Sequence, residues 1–302
     1  MTRDSLFVFG TLCHAPLRDI VLGPAEDVVA TPARLAGHAI YWKQGADHPL
    51  LAAVPGGEAA GILLTGLSAE HRARLDFFEA GFAYDPVEVV VETAAGPIIT
   101  EHYATDPDAR AGEDWSLSSW VDLHAPLWCA AAREMMSYFG QIDAETLAER
   151  LPMIRQRAGS RVRAGDTAPA TVRSKNDVSR DVDALSTRKP YANYFLLEEQ
   201  DLRFRRFDGS LSPVVNRAGF VGGDAVTVLP YDPKRDTVLL VEQFRIGPYV
   251  RGDPNPWVLE TIAGRVDPGE AVETTARREA LEEADLSLGV LHYVSGHYPS
   301  PG

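Results

Sequence analysis

The sequence predicts two domains, an α+β first half and an α/β second half, joined by a basic connector. Three observations carry this expectation. The chain has 302 residues, about twice the commonest size of one domain. Hydrophobic residues make up 45% and charged residues 24%, so each half can bury a core. The formal charge of −14 is unevenly placed, with 9 Lys+Arg against 22 Asp+Glu in residues 1–150 and 20 against 21 in residues 151–302.

From the N-terminus, residues 6–9 read as a short apolar strand, followed by strand patterns at 28–35, 39–42 and 60–65. Residues 68–77 read as a helix, with Ser68 as N-cap and Glu70 in the first turn. Residues 84–92 alternate, placing Val87, Val89 and Val91 on one face of a strand. Trp120, Leu123, Leu127, Ala130, Ala131 and Met135 recur at helical spacing, which predicts one helix over 119–139. Residues 155–190 carry 9 Lys+Arg against 4 Asp+Glu with few large apolar side chains, and read as a solvated linker. Beyond it, strands are expected at 194–197, 202–207, 214–218, 225–231, 237–244 and 257–262, then a helix over 271–284 and a last strand at 291–295.

Composition excludes some functions. An acidic chain without a basic stripe is a poor partner for nucleic acid, whose affinity comes from neutralised phosphates. No apolar run approaches the ~20 residues that span a bilayer, so no membrane role is expected. Cys13 and Cys129 are the only cysteines; that argues against a disulfide framework or zinc ribbon and sets a reducing, cytoplasmic location as the expectation. Cys13 and His14 are neighbours in sequence only, His48, His71 and His124 have no metal-ligand spacing, and Trp115, Trp120 and Trp128 read as core and interface.

The most informative segment runs from Gly264 to Leu286. On a helix, Glu279, Glu282 and Glu283 stand at i, i+3 and i+4 and project from one face. Like charges so placed repel by ~0.2–0.5 kcal/mol per pair, a cost that a hard divalent cation such as Mg²⁺ or Mn²⁺ removes. Arg278 can pair with Glu270 or meet phosphate. Gly264, Glu270, Arg278, Glu279, Glu282, Glu283 and Leu286 fall in register with G-x5-E-x7-R-E-U-x-E-E-x-G-U, where U is a bulky aliphatic. At these residues the chain resembles the Nudix hydrolase family. Ala280 is small for its aliphatic slot, and Asp285 replaces a glycine.

The resemblance implies an α/β/α sandwich and Mg²⁺- or Mn²⁺-dependent hydrolysis of a nucleoside diphosphate derivative. It casts Glu279, Glu282, Glu283 and the Ala263 carbonyl as metal ligands, Arg278 and the three glutamates as catalytic, and Arg245 as a diphosphate contact. Val241 to Arg245, Pro256 to Gly264 and Pro301 are similar to the ADP-ribose pyrophosphatase subfamily, which implies attack of activated water on ADP-ribose to yield AMP and ribose 5-phosphate, and a homodimer. Further strands and a helix after the motif are implied as well. Only 16 residues follow Leu286, so the expectation is a domain cut short and weakly active or inactive alone.

Phe9-Gly10-Thr11-Leu12 after a strand, then Leu75-Asp76-Phe77-Phe78-Glu79-Ala80-Gly81-Phe82 and Tyr84, resemble the γ-glutamylcyclotransferase-like (AIG2-like) family, with Phe9 in place of its usual tyrosine. This implies a small mixed β-barrel with helices. Phe9, Gly10, Thr11 and Leu12 would bind substrate, and Glu79 would be the base that starts closure of a γ-glutamyl compound to 5-oxoproline. Phe77, Phe78 and Phe82 would raise its pKa by desolvation. The expected organisation is 1–154 cyclotransferase-like, 155–190 linker and 191–302 Nudix, similar to fusions associated with tellurite resistance. The alternatives are an active cyclotransferase in the first half, or a non-catalytic sensor that binds ADP-ribose.

Overall fold

The computed structural model describes residues 4–80, 86–104, 109–165 and 176–298. Gly81, Phe82, Tyr84 and residues 299–302, which include Pro301, lie outside them. The chain divides into two units, Met1–Val162 and Arg163–Gly302.

The first unit is built on β1 (Ser5–Val8), α1 (Ala15–Leu22), β2 (Val29–Lys43), β3 (Pro49–Thr65), α2 (Ala69–Ala80), β4 (Pro86–Thr93), β5 (Gly96–Tyr103) and β6 (Ala111–Asp114). Helices α3 (Leu117–Leu123), α4 (Ala125–Met136) and α5 (Ala144–Gly165) follow. The strands form an antiparallel sheet in the order β1-β3-β2-β4-β5, with β6 beside β2. Gly37, at φ +73°, sits where the β2–β3 register shifts. It lets the two separately predicted strands run as one bent strand. Alternate residues Phe7, Ala33, Leu35, Leu51, Ala59, Leu63 and Val91 meet in one core, each large apolar side chain contributing roughly 1.5–3 kcal/mol.

Unlike the expected barrel, this sheet does not close among the described residues. Ser5 and Thr100 bring β1 and β5 together through their hydroxyls at 2.9 Å, without a backbone ladder between them. The single helix expected over 119–139 is two, because Pro126 opens α4 where the chain turns at His124.

Composition also misreads the connector. Residues 155–165 continue α5, whose Ile154 and Ala158 are fully buried. Arg157 donates from Nε and Nη2 to Glu134 Oε1 at 2.9 and 2.6 Å. Both partners are almost fully buried, so a basic residue that reads as solvated serves to fasten α5 onto α4.

The second unit starts with α6 (Val178–Asp181) and continues through β7 (Val182–Ala192), β8 (Leu196–Phe204), β9 (Val215–Val221), β10 (Ala225–Val228), β11 (Tyr231–Asp232), β12 (Thr237–Val238), β13 (Val241–Phe244), α7 (Ile246–Arg251), β14 (Trp257–Glu260), β15 (Ile262–Arg265) and α8 (Val272–Ala284). Strands pair antiparallel as β7-β8-β9, β10-β15, β11-β12 and β13-β14. Helix α8 packs on β15 and β10. Among the described residues it forms one layer on that ladder.

Asp285 closes α8 in the left-handed region at φ 51°, the geometry that its motif position calls for. Residues 286–298 contain no strand. Arg277 holds the carbonyls of Leu288 and Gly289 at 2.7 and 3.0 Å. An alternating pattern at 291–295 becomes a strand only where a ladder partner receives it.

Candidate functional site

In the first unit, the turn after β1 and the end of α2 meet at a cavity of about 570 Å³, including its open mouth. Phe9, Thr11 and Leu12 line it with Glu79, Phe78, Tyr103, His48, Pro49 and Trp128. Gly10 supports this wall from behind. At φ +64° a Cβ there would come within 2.1 Å of Pro49 Cγ, so only glycine allows the close approach. The structure thus brings together the sequence-predicted Phe9, Thr11, Leu12 and Glu79.

Glu79 is nine-tenths buried, and burial pushes its carboxyl up to about 8. Tyr103 does not relieve it, since its hydroxyl donates to Asp76 Oδ1 at 2.6 Å. Arg72 Nε donates to the same oxygen at 3.2 Å. Phe78 lines the cavity as expected, whereas Phe77 turns to Phe139, with ring centroids 5.6 Å apart. Cys13 is not activated by His14. Burial pushes its thiol up to about 11, and it donates to the Val8 carbonyl, while the His14 ring packs edge-on against Trp120.

In the second unit, α8 lays its glutamates along the backbone of β15. A Cβ on Gly264 would fall 1.8 Å from Glu279 Cδ, so this glycine is the seat of the Glu279 carboxylate. One residue earlier, Ala263 N–H donates to Glu283 Oε2 at 3.2 Å, and Gln243 Nε2 from β13 donates to Glu283 Oε1 at 2.8 Å.

Arg278 ties the remaining acids together. Its Nη1 reaches Glu279 Oε1 at 2.7 Å and Glu282 Oε2 at 3.2 Å, and its Nη2 reaches Glu270 Oε2 at 3.2 Å. That hydrogen bond holds the Glu270 carboxyl below its ordinary value, with help from Thr275. The like-charge cost that the sequence leaves open is met in part by this guanidinium. Arg245 engages Glu260 through both Nε and Nη2.

The donor set is all hard oxygen, which suits Mg²⁺ or Mn²⁺. Among the described residues, however, no three His, Cys, Asp or Glu side chains are gathered as a metal cage. Glu279 and Glu283 share the β15 backbone, whereas the Glu282 side chain is 57% exposed and turned to Arg278.

Two family models match the chain. Residues 6–122 match one described as gamma-glutamyl cyclotransferase, AIG2-like, and residues 222–302 match the NUDIX domain. By these similarities the two units are called AIG2-like and NUDIX. An ADP-ribose pyrophosphatase of Escherichia coli (strain K12) is 41% identical over 137 residues, 45% of this chain and 63% of that protein. A GDP-mannose pyrophosphatase of Enterobacter sp. (strain 638) is 33% identical over 36% of this chain and 56% of that protein. The chain thus spans less than two thirds of the length of these curated relatives. An AIG2-like protein of Mus musculus aligns over 37% of this chain and 88% of its own at 17% identity, with a TM-score of 0.30.

Several residues of both domains escape a sequence reading. Gln243 lies two positions before Arg245 on β13, and that alternation is its only signal. In the AIG2-like unit, Tyr103, His48 and Trp128 come to the cavity from distant positions with no shared motif. Trp128 reads in sequence as core; it is buried, and it is also a wall of the cavity. Among the described residues no helix is long and apolar enough to cross a membrane.

Proposed function

We propose that the NUDIX unit hydrolyses a nucleoside diphosphate sugar of the ADP-ribose type to AMP and ribose 5-phosphate. The observation that carries this reading is the seating of Glu279 and Glu283 on the consecutive β15 residues Gly264 and Ala263. The names of the pyrophosphatase relatives support the substrate class. Glu279, Glu283, Glu282 and the Ala263 carbonyl would hold Mg²⁺ or Mn²⁺. When bound, the cation supplies charge neutralisation at the diphosphate and an acidified water. Gln243 and the Ala263 N–H fix the orientation of Glu283. Arg278 would release Glu279 and keep Glu270. Arg245 would exchange Glu260 for a diphosphate oxygen pair, which presents the same fork geometry. The test is AMP release from ADP-ribose by the full chain, expected to be slow and to require Mg²⁺. Absence of AMP, or release that ignores metal, contradicts the reading.

A second reading concerns the AIG2-like unit and is favoured by one observation, the buried Glu79 carboxyl facing a cavity. Glu79 would take a proton from the α-ammonium of a γ-glutamyl amine. The freed amine then attacks its own γ-carbonyl carbon, the bond to the departing amine breaks, and the proton passes to that amine. The products are 5-oxoproline and the free amine. Because burial favours the neutral carboxyl, the active base fraction grows with pH, and kcat/KM is expected to rise to an inflection near the Glu79 value of about 8. A flat profile between pH 6 and 9 contradicts this role.

A further inference from the structure

Arg155 lies on α5, beyond the residues 6–122 that match the AIG2-like model, yet it touches one wall of the Glu79 cavity and the residue that precedes another. Its guanidinium carbon stands 5.0 Å from the centroid of the Trp128 ring, and Trp128, from α4, lines the cavity. Its Nη2 donates to Asp47 Oδ2 at 2.5 Å. Asp47 immediately precedes His48 and Pro49, which also line the cavity, and its carbonyl accepts from Trp120 Nε1 at 2.9 Å.

Pro49 packs against Gly10, which stands between the lining residues Phe9 and Thr11. One cation therefore reaches both the indole wall and the 47–49 turn that supports the wall of the first turn. The Asp47 carboxyl is only 14% exposed. Burial opposes its ionisation, but the hydrogen bond from His48 and the charge of Arg155 outweigh it and hold the carboxyl below its ordinary value. An ion pair so shielded, stacked on an aromatic face, is held more firmly than an exposed surface pair.

We propose that Arg155, from α5, is a positioning residue that clamps the cavity wall Trp128 of α4 to the 47–49 turn, so that Glu79 is shielded from bulk water and faces an amine-bearing ligand of the γ-glutamyl class. The ligand class rests on the cyclotransferase reading above; the clamp rests on the contacts of Arg155. Opening the clamp admits water to Glu79 and returns its carboxyl toward ordinary acidity.

The experiment is a pH titration of the full chain labelled with ¹³C at the glutamate carboxyls, with the Glu79 resonance assigned through Glu79→Gln. The wild type is expected to titrate near 8 at Glu79. Arg155→Ala should lower that midpoint by at least about one pH unit. Asp47→Asn should act in the same direction, and Arg155→Lys should act less, because it keeps the charge on Asp47 and loses the planar stack. The latter two variants carry the test if Arg155→Ala does not fold.

A Glu79 midpoint that none of these folded variants moves overturns the clamp. A wild-type midpoint at the ordinary glutamate value overturns the shielding of Glu79 and the clamp together. In parallel, 5-oxoproline release from a γ-glutamyl amine should show KM raised more than kcat falls in Arg155→Ala. A midpoint sensitive to Arg155 without any 5-oxoproline release supports the clamp and overturns only the cyclotransferase reading.

Discussion

Glu79 of the AIG2-like unit stands among aromatic rings with its acidity suppressed by burial, whereas Glu270, Glu279 and Glu282 of the NUDIX unit share one guanidinium and Glu283 is held by an amide and a main-chain N–H. The contrast follows from what each unit buries. The first packs its sheet residues into a continuous core and encloses a carboxyl within it. In the second, the buried apolar side chains among the described residues are Leu196, Ile262, Val266, Ala276 and Ala280, and its acids lie on a helix face beside a strand. A buried lone carboxyl is suited to moving a proton near neutrality. A row of ionised carboxylates on a backbone seat is suited to charge. The same residue type thus serves two chemistries because its surroundings differ.

The largest effect that would sharpen this comparison is at Gly264. Gly264→Ala places a Cβ 1.8 Å from Glu279 Cδ, and the flexible carboxylate must leave its seat. Hydrolysis should fall by about two orders of magnitude and Mn²⁺ affinity, followed by electron paramagnetic resonance, should fall with it. Stability should change by only about 1 kcal/mol, because the displaced atoms end a flexible side chain. Unchanged Mn²⁺ binding would remove Glu279 from the metal site.

Next is the pH dependence of stability. Glu79 has its folded pKa raised from 4.5 to about 8, so between those values the unfolded chain binds fewer protons than the folded one and stability falls as pH rises. Removing this cost with Glu79→Gln should make the variant gain on the wild type through that window, by up to roughly 4 kcal/mol. Parallel melting curves from pH 5 to 8 would contradict the burial account. The smallest effect is at Asp285, whose φ of 51° favours glycine. Asp285→Gly should stabilise the NUDIX unit by about 0.5 kcal/mol, read from chemical denaturation.

The sequence made different parts of the two units legible. The spacing from Gly264 to Leu286 is local, so register alone announces Glu270, Arg278, Glu279, Glu282 and Glu283, and even the left-handed end at Asp285. Arg278 meeting several acids at once was not legible, because it depends on side-chain reach rather than on position. In the AIG2-like unit, Phe9 and Glu79 are visible, but the cavity is lined by residues as far apart as Phe7 and Trp128, with His48 between them. The basic stretch around Arg157 was misread because composition cannot distinguish an arginine facing solvent from one facing a buried Glu134. Strand β7 was lost inside the expected linker for a related reason: its exposed, polar residues are placed by pairing with β8 rather than by burial.

The central claim is that the two glutamate sites are chemically independent, and measuring both reactions on the same three full-length proteins tests it most directly. In wild type, Glu79→Gln and Glu283→Gln, AMP release from ADP-ribose with Mg²⁺ and 5-oxoproline release from a γ-glutamyl amine are followed in parallel. The account predicts that Glu283→Gln loses only AMP release and that Glu79→Gln loses only 5-oxoproline release. Loss of both activities in either folded variant, or of neither, would contradict it.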